Sequence, residues 1–291
     1  MQDFGGRVAV VTGTANPLGI GFATCRRLVA AGCRVVLADI DGDGAEARAA
    51  ELRSEDADAL AVQTDMGDRA SVNRLAETTY ETYGAAHILL LNHVAPTGRP
   101  GHGLLNPDVE AWVLHANVNL LGCVYAIKAF VPKMIESGEH CHVLATTSGA
   151  GATGTMYGNG PYAVTKAAIT SLMECLYGQL RDAGADVVAG LVFPSVTNTH
   201  GPVEVGERTV QMLRATGVPV RLMQPDEVAA FTIDAIRADT FWAQPNDAND
   251  ERHRETFEWQ KEIYRLRADA IVNRTPPDVY LWGPASAVLG P

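Results

Sequence analysis

The sequence predicts an α/β fold: a doubly wound, mostly parallel sheet with helices on both faces. Three observations carry that prediction. Apolar runs of strand length recur along the chain, helical stretches alternate with them, and the first two runs are joined through a glycine-containing turn that opens a helix. A chain of 291 residues has room for one large core. A single domain over residues 1–248 is expected, with 249–291 adding a C-terminal helix and a proline-rich tail to the same unit.

Arg7 to Thr12 (RVAVVT) reads as a strand buried on both faces and ends at Gly13. A helical pattern follows over 19–31, then a second strand from Cys33 to Ala38 (CRVVLA), a polar turn, and a helix rich in alanine and charge to about Arg53. That completes a βαβ unit. Further strands fall near 59–63, 88–92, 142–147 and 187–193, with helices near 68–83, 108–137 and 161–183. Proline- and glycine-rich stretches after Val94 and after Phe193 mark long loops at strand carboxyl ends, where such sheets bind ligands. The second, about 195–224, is expected to be the substrate loop. After a strand-like TFWAQP (240–245), Phe257, Trp259, Ile263, Tyr264, Leu266 and Ile271 form one apolar helical stripe. The last seventeen residues hold four prolines, yet Val279 to Trp282 are apolar enough to need a surface.

With 34 acidic against 23 basic side chains, the formal charge of −11 argues against nucleic acid and anionic lipid as partners and leaves a small-molecule substrate. Five cysteines without CxxC spacing sit in apolar contexts and are expected to be reduced core thiols. No basic-then-apolar leader opens the chain and no apolar run approaches the about 18–20 residues of a membrane span, so a cytoplasmic location is expected. His140 and His142 alternate along a strand, but two imidazoles without a further ligand make a poor metal site, and no metal is assigned. His93 follows a strand end, where backbone bonding is the expectation.

The turn TGTANPLGIG holds Gly13, Gly19 and Gly21. Gly19-Ile20-Gly21 stands at a helix N-terminus, whose free N–H groups and dipole suit a pyrophosphate. Pro17 has no N–H to offer and stiffens the rim. Asp39 ends the second strand 18 residues beyond Gly21, where a carboxylate accepts both ribose hydroxyls of an adenosine and repels a 2′-phosphate. NAD is therefore the expected cofactor. In GPYAVTKAAITSLM (160–173), Pro161 starts a helix, and Tyr162 and Lys166 stand four apart on one face. An ammonium beside a phenol stabilises the phenolate and prepares a general base. The segment follows a hydroxyl-rich strand end, Thr146-Thr147-Ser148.

These motifs, in this order over roughly residues 5–200, resemble the short-chain dehydrogenase/reductase family, of Rossmann-type architecture. The resemblance implies a tetrad of Asn119 (in NVNLLG), Ser148 (in TTSGAG), Tyr162 and Lys166. It also implies Asp65 beside Met66 (in QTDM) on the adenine side, Asn92 in Asn92-His93-Val94-Ala95 for the family's NNAG, and Pro194 and Thr199 near the nicotinamide. Tyr162 would take a hydroxyl proton, Ser148 would hold the same oxygen, Lys166 would lower the tyrosine and hold the nicotinamide ribose, and Asn119 would fix a water. Three departures stand out: a glycine turn two residues longer than TGxxxGxG, NHVA for NNAG, and Ser195 for the glycine of PG. The implied activity is hydride exchange between a secondary alcohol and NAD, with a weak likeness to family members that oxidise bulky aryl-alkyl carbinols. The alternatives are an enoyl-thioester reductase of the same superfamily and a non-catalytic NAD-binding regulator. Seven residues before Lys166 stands Asn159 rather than a tyrosine, which disfavours the first. Apolar faces on helices 108–137 and 161–183 lead to an expected homodimer or homotetramer.

Overall fold

A computed structural model of the chain describes residues 1–96, 109–149, 160–199, 201, 203–215 and 221–244. The expected C-terminal helix and tail, and the loop from Thr97 onward, lie outside the described residues. Seven parallel strands form the main sheet: β1 (Val8–Thr12), β2 (Arg34–Asp39), β3 (Ala59–Gln63), β4 (Ile88–Leu91), β5 (Cys141–Thr146), β6 (Val187–Val192) and β9 (Trp242–Ala243). Their order is β3-β2-β1-β4-β5-β6-β9. The order reverses between β1 and β4, and the crevice at a doubly wound sheet's switch point is where its ligand binds.

Alternation along the strands divides the core. Val8, Val10, Leu89, Leu91 and Val143 face helices α3 (Arg69–Tyr83), α5 (Gly122–Ser137) and α6 (Gly160–Asp182), with Phe130, Met134, Ile169 and Met173 filling that layer. Ala9, Val11, Val35, Leu37 and Leu90 face α1 (Ile20–Ala30), α2 (Gly42–Arg53) and α8 (Pro225–Ala238), packing on Phe22, Leu28, Leu52, Phe231 and Ile236. Local signals set the helix ends. Asp41 caps α2 by accepting from Gly44 N–H, Asp68 caps α3 by accepting from Ala70 and Ser71 N–H, and Gly84 ends α3 at φ +74°.

Four expectations need correction. The predicted helix over 108–137 is α4 (Val109–His115), a π-helical turn (Ala116–Leu121) and α5 in succession. By length and composition these 29 residues are apolar enough to cross a membrane, contrary to the sequence expectation, although Cys123, Ala126, Phe130, Val131 and Met134 of α5 are buried in the core. The 195–224 segment is more than a loop. It contains β7 (Val196–Thr197), α7 (Val203–Ala215) and β8 (Leu222–Met223), the two strands pairing in a small second sheet. Gly206 conceals α7 in the sequence because it weakens the helical signal, yet it makes room for Leu222, whose Cδ1 would lie 2.5 Å from an added Cβ. Finally, all five cysteines are free thiols, but Cys175 is exposed and not part of the core.

Candidate active site

The carboxyl ends of β1 and β4 assemble the glycine turn. Gly13 adopts φ +75°, and a Cβ there would stand 3.0 Å from the His93 Cα. Gly21 lies so close beneath the turn that a Cβ would be 2.3 Å from Gly13 O and 2.9 Å from Asn92 Nδ2. The longer rim folds around Asn16. Its carbonyl accepts from Gly19 N–H at 2.9 Å, its Oδ1 accepts from Leu18 N–H at 3.0 Å, and its Nδ2 donates to Thr199 O at 2.9 Å. The extra residues thus tie the turn to the segment after β6. Asp39 closes the other side, its Oδ2 accepting from Ala15 N–H at 2.9 Å and its Oδ1 from Asp41 N–H at 3.1 Å.

Asn92 bridges β1, β4 and β5: its Nδ2 donates to Gly13 O at 3.3 Å and its Oδ1 accepts from Thr146 Oγ1 at 3.0 Å. Asp65 is exposed and accepts from Gly67 N–H at 2.8 Å, whereas the Met66 side chain is buried in the core, so any cofactor contact by Met66 belongs to its backbone. Ile20 is half-buried at the first turn of α1, Pro194 is buried, and Thr199 is half-buried. Ser195, standing for the family glycine, donates to Arg221 O at 2.9 Å and accepts from Arg221 N–H at 3.1 Å, fastening the start of β7 to β8.

The structure brings the four catalytic candidates to one place. Tyr162 on α6 is hydrogen-bonded to Ser148 beyond β5. Lys166, one turn further, is 3 % exposed, donates to Thr146 O at 2.6 Å and lies 5.7 Å from the Tyr162 ring centroid. Burial pushes Lys166 down to about 8 and raises the Tyr162 phenol, with the Ser148 hydrogen bond opposing that rise. The Lys166 ammonium is directed at the Thr146 carbonyl, so the group in direct hydrogen-bond contact with the Tyr162 phenol is Ser148. Asn119 is fully buried in the π-helical turn, accepting from Ala95 N–H at 2.7 Å and donating to Thr165 Oγ1 at 3.0 Å. π-Helical turns recur at functional sites because they turn a side chain out of helical register.

His93, not counted among the site residues from sequence, joins the same scaffold. Its Nε2 lies 3.0 Å from Val118 O and its Nδ1 2.8 Å from Thr12 Oγ1. A carbonyl only accepts, so Nε2 carries the proton and Thr12 donates to Nδ1. Burial and the nearby Lys166 push this imidazole down to about 3, keeping it neutral. Elsewhere, the expectation that His140 and His142 lack a third ligand does not hold. Asp239, remote in sequence, reaches both rings.

The cradle fits a nicotinamide dinucleotide. Glycine backbone lies at the start of α1, Asp39 at the end of β2, and a buried Lys166 spends one of its three donors on Thr146, leaving two for ribose hydroxyls. A family model described as short chain dehydrogenase matches residues 7–209. The chain belongs to the short-chain dehydrogenase family. It is 32 % identical over 253 residues to a 1-deoxy-11-beta-hydroxypentalenate dehydrogenase of Streptomyces exfoliatus, covering 87 % of each chain. It is also 32 % identical over 174 residues to a C alpha-dehydrogenase of Sphingobium sp. strain SYK-6, covering 60 % of this chain and 55 % of that one. A solved short-chain dehydrogenase/reductase from Burkholderia phymatum in complex with NAD aligns over 97 % of this chain and 99 % of its own, with a TM-score of 0.73 and 27 % identity. Solved proteins of this fold carry NADH in one case and NADP in another. The short-chain dehydrogenase described here is thus an oxidoreductase of nucleotide-cofactor type.

Proposed function

We propose that this short-chain dehydrogenase oxidises a secondary alcohol to the ketone with NAD, and that the reverse reduction uses the same residues. The observation carrying this reading is the Ser148–Tyr162 hydrogen bond beside a buried Lys166 at the mouth of the switch-point crevice. When bound, the nicotinamide supplies the hydride acceptor. Tyr162 Oη takes the substrate hydroxyl proton while Ser148 Oγ holds the same oxygen and its changing charge. Lys166 holds the nicotinamide ribose, and Asn119, with Ala95 and Thr165, fixes the proton route behind it. Asp65, Asn92, Pro194 and Thr199 complete the cofactor contacts.

NAD is favoured over NADP by Asp39. Each of its oxygens accepts one backbone N–H, and an ionised carboxylate has about four lone-pair sites, so it can also accept ribose hydroxyls. A 2′-phosphate there meets like charge. The relatives that act on a hydroxypentalenate and as a C alpha-dehydrogenase support a bulky carbinol as substrate. Five free thiols support a cytoplasmic location. Exposed Val109, Val113, Leu114 and Val164 on α4 and α6 support a homodimer or homotetramer.

A panel of secondary alcohols with NAD and with NADP, followed at the reduced-nicotinamide absorbance, tests the reading. The expected result is turnover of at least one bulky carbinol with NAD preferred, and Tyr162→Phe abolishing it while NAD still binds. Undiminished turnover in Tyr162→Phe removes the mechanism.

A further inference from the structure

The pole of the sheet opposite the catalytic crevice holds a second cluster. His140 precedes β5, His142 lies in it, and their rings meet edge to face with centroids 4.9 Å apart. Asp239, at the carboxyl end of α8, places Oδ1 2.9 Å from His140 Nε2 and 2.8 Å from His142 Nε2. The three ligand atoms lie within 4.8 Å of one another. At about 3.3 Å per residue along β5, the cluster stands about 20 Å from Ser148.

Three features point to a cation. His140 Nδ1 is 2.5 Å from Asp186 Oδ1, so both of its ring nitrogens face carboxylate oxygens. A neutral imidazole has one N–H and a carboxylate only accepts, so in the metal-free cluster His140 is an imidazolium donating from both nitrogens, and a metal ion at Nε2 takes the place of that proton. The Asp186–His140 contact is also the carboxylate–histidine arrangement that orients a metal-bound imidazole. His142 is 2 % exposed and its Nδ1 has no hydrogen-bond partner among the described residues, so only Nε2 is engaged, and it is aimed into the cluster. Asp239 keeps a carboxylate at φ +53°, a capping position where glycine is unstrained.

We propose that His140 Nε2, His142 Nε2 and Asp239 Oδ1 bind a divalent transition-metal ion of the zinc class. Two imidazoles and a carboxylate are donors such an ion takes in tetrahedral geometry at about 2.0–2.2 Å, which sets ligand atoms about 3.3 Å apart. The contacts to Asp239 open by about half an ångström to reach that spacing, a movement a half-exposed His140 and an exposed Asp239 allow. The rival cation is the Met1 amino group, 2.6 Å from the same Oδ1 and 2.8 Å from Ile236 O. The ion displaces it from Oδ1 and pins the end of α8 to β5.

Titration of the chelator-stripped full chain with zinc chloride in a calorimeter, with thermal unfolding alongside, tests this. The expected result is one Zn²⁺ per chain and a raised Tm. Asp239→Asn, whose side chain still tolerates the left-handed backbone, and the half-exposed His140→Gln should each weaken binding roughly tenfold or more. Absence of stoichiometric binding by the unaltered protein overturns the proposal and leaves the Met1 ammonium and the His140 imidazolium as the cluster's cations. Unchanged affinity in either folded variant also overturns it, because the ion then sits elsewhere.

Discussion

At Tyr162 two effects oppose one another: withdrawal from water raises the phenol, and the hydrogen bond with Ser148 lowers it. A base with a raised pKa is more fully ionised as pH climbs, so alcohol oxidation should accelerate from neutral toward alkaline pH. Ser148→Ala should move that rising limb to higher pH and cut kcat by a factor on the order of 100; pH–rate profiles of both proteins check it. His93 gives a stability prediction of its own. Its imidazole is held at about 3 against 6.5 in the open chain, so between those values the unfolded chain binds a proton that the folded one refuses. Stability should fall as pH drops through that window by about 1.4 kcal/mol per pH unit from this group, and His93→Asn should flatten the slope in denaturant melts. Tyr162 and Lys166 were legible in the sequence because helical spacing alone puts them on one face. The direction of the Lys166 ammonium was not, since it depends on the Thr146 carbonyl, 20 residues away.

Among the elements, the glycine turn shows what close approach demands. Gly21→Ala places a methyl 2.3 Å from the Gly13 backbone oxygen, so it should unseat α1 from β1 and abolish nicotinamide-dinucleotide binding, measured by fluorescence quenching together with Tm. Asn16→Ala removes the tether to Thr199 and the bond from Leu18 N–H, and should raise KM for the nicotinamide dinucleotide several-fold with kcat nearly unchanged, the signature of lost uniform binding. The strands and the helices from α1 to α3 were readable because hydrophobic period and caps agree there: Asp41 and Asp68 stand where their helices begin. The π-helical turn at Asn119 was hidden, because the apolar pattern of NVNLLG does not register one extra residue per turn. Likewise α7 was hidden by Gly206, whose value lies in the Leu222 contact and not in local propensity.

On the scale of the whole molecule, the exposed valines of α4 and α6 should be covered in an assembly. Val113→Glu combined with Val164→Glu should shift light scattering from dimer or tetramer to monomer. The doubly wound parallel sheet followed from alternating elements, but the meeting of His140, His142 and Asp239 is a product of tertiary closure that no spacing reveals. That closure also bears on how the chain is made. Helix α1 is roofed by α8, where Arg27 grips Asp226 across 199 residues, and Phe231 and Ile236 share a core layer with Phe22 and Leu28. At about 5–20 residues per second, a ribosome leaves that apolar underside uncovered for roughly 10–40 s. The emerging polypeptide should therefore draw chaperones throughout that interval, and a product halted after Gln224 should accumulate in the insoluble fraction on expression.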